Sequence, residues 1–284
     1  MRRALPGLIL THNLHGIDID LRAVQITQLA LWLRAQRAFA DYGIHRDNRP
    51  RITRSNIVCA EPMPGEQDML EEYVANLPTK ELRELVREVF DKMQLAGEAG
   101  SLLKIEQHIS GAVKRAVGDL GLMFAEQAEE RWHDTERQLL EALERYARSA
   151  GANGLAFQRT LFTEDAAQGL AFIDVCSKIY SVVLMNPPFG APSVPSKQYI
   201  EKTYPRTKND LYAAFVERGL ELLHRGGMLG AITSRTGFFL SSFQKWREEI
   251  ILKEARPTVV ADLGMGVLDT ALVETVAYCL EAVK

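Results

Sequence analysis

Tyr180-Ser181-Val182-Val183-Leu184-Met185 runs directly into Asn186-Pro187-Pro188-Phe189. The first six residues are mostly apolar. They read as a strand buried on both faces, the kind found inside a parallel sheet. Ligands of open α/β sheets bind outside the carboxyl ends of the strands, so this position puts Asn186 at a site mouth. Two consecutive prolines fix φ and remove two backbone donors. The loop is therefore stiff and offers carbonyls without competing N–H groups. A ligand amino group with two N–H donors fits it, with one bond to the Asn186 side-chain oxygen and one to the Pro187 carbonyl. Phe189 can stack on a planar ring, worth ~1–3 kcal/mol if the ring is a base. An Asn-Pro pair alone would read as an ordinary turn; the full run after a strand points to function.

Outward from this loop, short β-rich runs alternate with helical periodicity. Upstream, Asn13–Ile19 and Ser55–Cys59 read as strands on either side of a helix over Leu21–Phe39. Downstream, a helix is expected over Asp210–His224, ended by Gly226-Gly227. Strand Met228–Thr233, helix Ser241–Lys253 and strands Pro257–Asp262 and Val273–Leu280 follow. Such alternation predicts an α/β protein whose sheet is mostly parallel, with helices on both faces. Between the two groups, Gln67–Asn76, Thr79–Leu95 and Leu120–Ser149 have apolar residues at three- and four-residue spacing. This stretch reads as a helical insertion, with Thr79 capping its second helix.

Composition bounds the function. The chain has 284 residues, 46% hydrophobic and 25% charged, the balance of an ordinary globular protein. Its net charge of −3 speaks against holding nucleic acid by bulk positive charge alone. That average conceals a division, because residues 57–150 carry a net −8 and residues 1–56 a net +5. The solvated face of the acidic helices, with Glu129, Glu130, Arg131, Asp134, Glu136 and Arg137, could also dock a partner chain. Cys59, Cys176 and Cys279 are far apart, which implies reduced thiols, a cytoplasmic setting and no metal knuckle. The histidines are scattered, and no metal site is expected. No apolar run reaches the ~18 residues of a membrane span.

The second motif is Gly16-Ile17-Asp18-Ile19-Asp20. An acidic residue at the tip of a strand in a nucleotide-binding sheet can accept both ribose hydroxyls, and Asp18 has that place, with Ile19 beside it. Asp20 opens the following helix and reads as its N-cap. Taken in order, Asn13-Leu14-His15-Gly16-Ile17-Asp18-Ile19-Asp20, Asn186-Pro187-Pro188-Phe189 and Asp210-Leu211-Tyr212-Ala213-Ala214-Phe215 with Gly226-Gly227-Met228 resemble the S-adenosylmethionine-dependent DNA adenine N6-methyltransferases. The likeness is greatest to the phage-exclusion (BREX) adenine methylases and then to fused restriction–modification enzymes. It covers roughly residues 10–62 and 155–284.

That resemblance implies a Rossmann-like class I methyltransferase sheet with a large helical insertion. Residues 1–62 would form the first, cofactor-side part of the core, 63–154 the insertion, and 155–284 the second part with the catalytic loop. It implies S-adenosyl-L-methionine as cofactor, double-stranded DNA as substrate, and a flipped-out adenine whose N6 is held by Asn186 and Pro187. Cys59 and Glu61, after the second strand, stand where the family contacts the cofactor adenine, usually with an Asp. Lys197, Lys202, Arg206 and Lys208 lie in a proline-rich stretch, 190–209, read as a mobile basic loop able to touch DNA phosphates. The family's glycine-rich cofactor loop and first strand would come before Asn13, where the text is too short. The expectation is thus an incomplete, N-terminally truncated sheet with little activity alone. Leu268 stands where relatives often carry a base-stacking aromatic. Two other readings stay open: a protein-glutamine or RNA N-methyltransferase, and a non-catalytic assembly subunit of a defence system that binds through the insertion.

Overall fold

The computed structural model describes residues 4–52, 55–107, 135, 137–143, 145–146, 156–268 and 273–283. The acidic residues Glu129, Glu130, Asp134 and Glu136, and most of the expected helix 120–149, lie outside them. The described residues divide into two compact units, 1–177 and 178–284.

In the first unit, α1 (Leu5–His12) precedes β1 (His15–Asp18), α2 (Leu21–Asp41) and β2 (Asn56–Cys59). The strands pair in parallel, with Asp18 opposite Cys59 at their carboxyl ends. As expected, the Asp20 carboxylate caps α2 by accepting the Arg22 N–H. Helix α2 buries Val24 with Ile57 and Cys59, while its far end buries Ala35 and Phe39 with Leu10 and Ile44. The Gln28 amide donates to the Ile57 carbonyl at 2.8 Å, tying α2 to β2. Helices α3 (Gln67–Ala75) and α4 (Lys80–Lys92) follow, and Thr79 caps α4 by accepting the Leu82 N–H. The apolar stripe of α4 is buried at Leu85, Val86, Val89 and Phe90. Phe90 stacks on Phe162 of α5 (Ala156–Ser177) at 5.9 Å between ring centroids. Helix α5 also packs on β2, and Gly169 makes room for Met63, whose sulfur would lie 2.5 Å from a Cβ there.

In the second unit, β3 (Tyr180–Met185), α6 (Val194–Thr203), α7 (Leu211–Glu221), β4 (Leu223–Ser234), β5 (Ala255–Gly264) and β6 (Thr275–Ala282) build a sheet of order β3-β4-β6-β5. This sheet is mixed rather than mostly parallel: β3 and β4 are parallel, and β6 runs antiparallel to both β4 and β5. The cause is connection length. A parallel return needs a crossover, which α7 and the helical turns after β4 provide, whereas an antiparallel return needs only the short link from Gly264 to Thr275.

Three further expectations are corrected. Strand β3 is not buried on both faces. Val183 and Met185 pack on the core, but Val182 is 56% and Leu184 80% exposed, because among the described residues the core of this unit packs on one face of β3 alone. Gly226-Gly227 does not end the helix, which stops at Glu221. The glycines lie within β4, where Gly226 has φ +81° and the register against β3 slips between Tyr180 and Val182. The helix expected over Ser241–Lys253 is a 3-10 turn, Ser241–Phe243, followed by a π-helical turn, Trp246–Ile251. The core between α7, these turns and the sheet holds Tyr212, Val216, Leu229, Trp246, Ile250 and Tyr278. Helix α7 approaches closely at Gly219, where a Cβ would lie 2.4 Å from Met185 Cε.

Candidate active site

Asn186 leaves the carboxyl end of β3, where Met185 stands opposite Ala231 of β4. Asn186 and Pro188 are exposed, Pro187 is buried, and Phe189 is half-buried. Pro187 and Pro188 hold the chain extended by their fixed φ and by their restriction of the residue before each. Phe189 packs on the core and meets Tyr212 edge to face, 6.1 Å between centroids. The loop ends at Gly190, in a left-handed conformation with φ +108°. The Gly190 N–H donates to Asp210 Oδ1 at 2.8 Å, and the Leu211 N–H donates to the Gly190 carbonyl at 2.8 Å. Burial raises the carboxyl pKa of Asp210, opposed by the N–H groups of Gly190 and Tyr212 that it accepts. In the sequence Asp210 opens the Asp210–Phe215 segment that carries the resemblance, but without a role of its own at the site; its signal is an Asp just before an apolar helix.

The same end of the sheet carries the turn after β4. Arg235 bonds Asp262 at 2.8 Å and Glu274 at 2.7 Å, and its guanidinium lies 5.4 Å from the centre of the exposed Phe239 ring. Leu268 is partly buried.

In the first unit, Asp18, Cys59 and Glu61 come together at the carboxyl ends of β1 and β2. The Ala60 N–H donates to the Asp18 carbonyl at 2.8 Å, and the Asp20 N–H to Asp18 Oδ1 at 2.9 Å. The Asp18 carboxylate is exposed, whereas the Cys59 side chain is buried and donates its S–H to Glu61 Oε1 at 3.3 Å. Burial first, and the Glu61 carboxylate second, push the thiol up to about 12. Ile19 is 57% exposed.

The basic stretch 190–209 is not a plain loop, since Val194–Thr203 form α6. Lys197, Lys202 and Lys208 are exposed. Arg206 instead bonds Glu217 at 2.5 Å and Glu254 at 2.6 Å, and Glu217, only 5% exposed, also accepts from Thr207. This ion cluster fastens the turn after α6 onto α7. Among the described residues no cluster of His, Cys, Asp and Glu is placed to hold a metal, and no helix is long and apolar enough to cross a membrane.

The second unit thus carries an Asn-Pro-Pro-Phe loop at the end of its parallel β3–β4 pair, and the first unit, by itself, an acidic strand tip at Asp18. The chain matches the model of the Eco57I restriction-modification methylase over residues 12–265, and it belongs to that family. It is similar to the adenine-specific methyltransferase BrxX of Escherichia coli O9:H4 (strain HS), at 25% identity over 98% of this chain and 22% of that protein. It is also similar to the adenine-specific methyltransferase PglX of Lacticaseibacillus casei (strain Zhang), at 23% identity over 100% of this chain and 21% of that one. The chain thus spans about a fifth of the length of these relatives. A solved structure, of a putative class I S-adenosylmethionine-dependent methyltransferase from Listeria monocytogenes, aligns over 76% of this chain and 88% of its own at 13% identity and a TM-score of 0.32. At that score the likeness carries no further argument.

Proposed function

We propose that this chain carries catalytic segments of an enzyme that transfers a methyl group from S-adenosylmethionine to adenine N6 in double-stranded DNA, within a phage-defence or restriction–modification system. The observation that carries this reading is the stiff loop at the carboxyl end of β3, with Asn186 exposed and Phe189 braced by Tyr212. Membership of a restriction-modification methylase family and similarity to two adenine-specific methyltransferases support it.

The chemistry of the donor set fits the adenosine end of the cofactor. Asp18 presents an exposed carboxylate for ribose hydroxyls, and Cys59, Glu61 and Ile19 lie beside it at the strand ends. S-adenosylmethionine, when bound, supplies an electrophilic methyl group on a sulfonium. The chain's own residues prepare the acceptor. The N6 lone pair of adenine is delocalised into the ring and is a poor nucleophile. Asn186 Oδ1 and the Pro187 carbonyl accept its two N–H bonds and stabilise the positive charge that grows on nitrogen. Phe189 stacks on the base and offsets part of the few kcal/mol needed to flip it. Exposed Lys197, Lys202 and Lys208 contact backbone phosphates. Residues 1–62 and 155–284 would share this work, with 63–154 inserted between them and available to a protein partner.

The test is incubation of the full protein with radiolabelled S-adenosylmethionine and either duplex DNA or DNA lacking N6-bearing adenines. Label is expected in adenine-containing DNA alone, and Asn186→Ala should lower the rate by about 10²–10³-fold. Label in protein or RNA but never in DNA would transfer the loop to those substrates. No label anywhere, with a partner still captured through 63–154, would leave an assembly subunit.

A further inference from the structure

We propose that Asp210 is a positioning residue for the Asn186–Phe189 loop, acting through Gly190. The inference rests on the reading of that loop as the amino-group site. Both polar groups of Gly190 are engaged by consecutive residues at the start of α7: its N–H by the Asp210 carboxylate and its carbonyl by the Leu211 N–H, each at 2.8 Å. The third residue of the set, Tyr212, braces Phe189. Residues 210–212 therefore grip residues 189–190, across twenty positions of sequence.

The grip has a firm base. Tyr212, Ala213 and Val216 are fully buried in the core, so the first turn of α7 is fixed to the sheet. Pro187 and Pro188 have no N–H, so beyond Asn186 the loop can be held from its backbone donor side only at Phe189 and Gly190. At Gly190 nothing lies within 4 Å of the point where a Cβ would stand, so glycine answers to the backbone angle of +108° and not to crowding. Held in this way, the end of the loop fixes where Asn186 and Phe189 can stand. Displacement by about 1 Å at a reacting group can cost on the order of 10²-fold in rate.

The same oxygen, Asp210 Oδ1, also accepts the Tyr212 N–H at 3.3 Å, so capping and gripping must be separated. Serine caps helices well but is a bond shorter, whereas asparagine keeps an acceptor oxygen at full reach. In the full protein, Asp210→Ser should keep its melting temperature close to that of the parent. Its kcat for DNA should fall about 10- to 100-fold, with KM for DNA and cofactor nearly unchanged. Asp210→Asn should restore most of the rate. Hydrogen exchange at the Gly190 amide should quicken at least about tenfold in Asp210→Ser and not in Asp210→Asn. Parental kcat and parental Gly190 exchange in Asp210→Ser would overturn the proposal, as would an equal loss in both variants with Gly190 exchange unchanged. If the parent itself methylates no DNA, the amino-group reading fails separately, and the Gly190 exchange still decides whether the grip exists.

Discussion

The Phe189 ring stands at 88° to the ring of Tyr212, with 6.1 Å between their centroids. An edge-to-face pair of this kind is worth about 0.5–1.5 kcal/mol beyond its buried area, and it braces Phe189, which stays half-buried. Phe189→Ala should therefore lower kcat/KM for DNA methylation by about 10- to 100-fold, from the ~1–3 kcal/mol of lost stacking. Phe189→Tyr should retain most of the activity. Unchanged steady-state kinetics in Phe189→Ala would remove Phe189 from the base site.

Arg206 separates from the lysines around it. Its guanidinium joins the buried Glu217 to Glu254, whose carboxylates raise its pKa further. Arg206→Ala should destabilise the protein by about 3–5 kcal/mol, because it leaves Glu217 buried without its cation. Denaturant titration reads this directly. A variant with parental stability and weakened DNA binding would instead make Arg206 a phosphate contact.

Lys197, Lys202 and Lys208 should behave in the opposite way. Alanine at each should leave stability within ~0.5 kcal/mol and lower DNA affinity equally for all sequences. Each should also reduce the slope of log K against log salt by about 1. Fluorescence anisotropy over a salt series measures this, and a lysine whose loss leaves the slope unchanged does not touch phosphate.

Cys59 gives a pH signature. An ordinary thiol ionises near 9, and burial with the Glu61 carboxylate pushes this one up to about 12. In the folded state Cys59 should resist iodoacetamide at pH 8, and it should react at an ordinary rate after denaturation. The sign for stability follows from the raised pKa. The folded state holds its proton more tightly, so this contribution is complete below about 9 and is lost as pH rises toward about 12. Glu61→Gln, which leaves the burial in place, should make this loss smaller and end it at a lower pH. Rapid native labelling at pH 8, followed by mass spectrometry, would contradict the burial of this thiol.

The strand Tyr180–Met185 and the caps Asp20 and Thr79 were legible because each is a local rule: a β-rich run, or a short acceptor side chain before an apolar period. The resemblance groups Asp18, Cys59 and Glu61, and they lie at the paired ends of the first two strands. What stayed hidden depends on distant partners. Gly226-Gly227 reads locally as the end of a helix, and only pairing with β3 turns it into an irregularity inside β4. The apolar letters of β3 predict burial on both faces, but Leu184 is exposed because the core packs against the face that carries Val183 and Met185. Arg206 looks like its basic neighbours until Glu217 and Glu254, 11 and 48 residues away, are brought beside it. Asp210 reads as the start of a helix within the segment that carries the resemblance, and its bond to Gly190 exists only once α7 is docked.

The paired prolines also set the thermodynamics of whatever the loop receives. Pro187 and Pro188 have little conformational freedom to lose, in the unliganded protein or in the unfolded chain, and Gly190, the freest residue type, is already tied down by Asp210 and Leu211. Capture of an amino group here therefore draws almost no ordering entropy from the backbone that makes the contact. On the proposed reading, the entropic cost of forming the complex falls on the ligand, which must leave its own stack to reach a loop already restrained by its prolines and by the two bonds at Gly190.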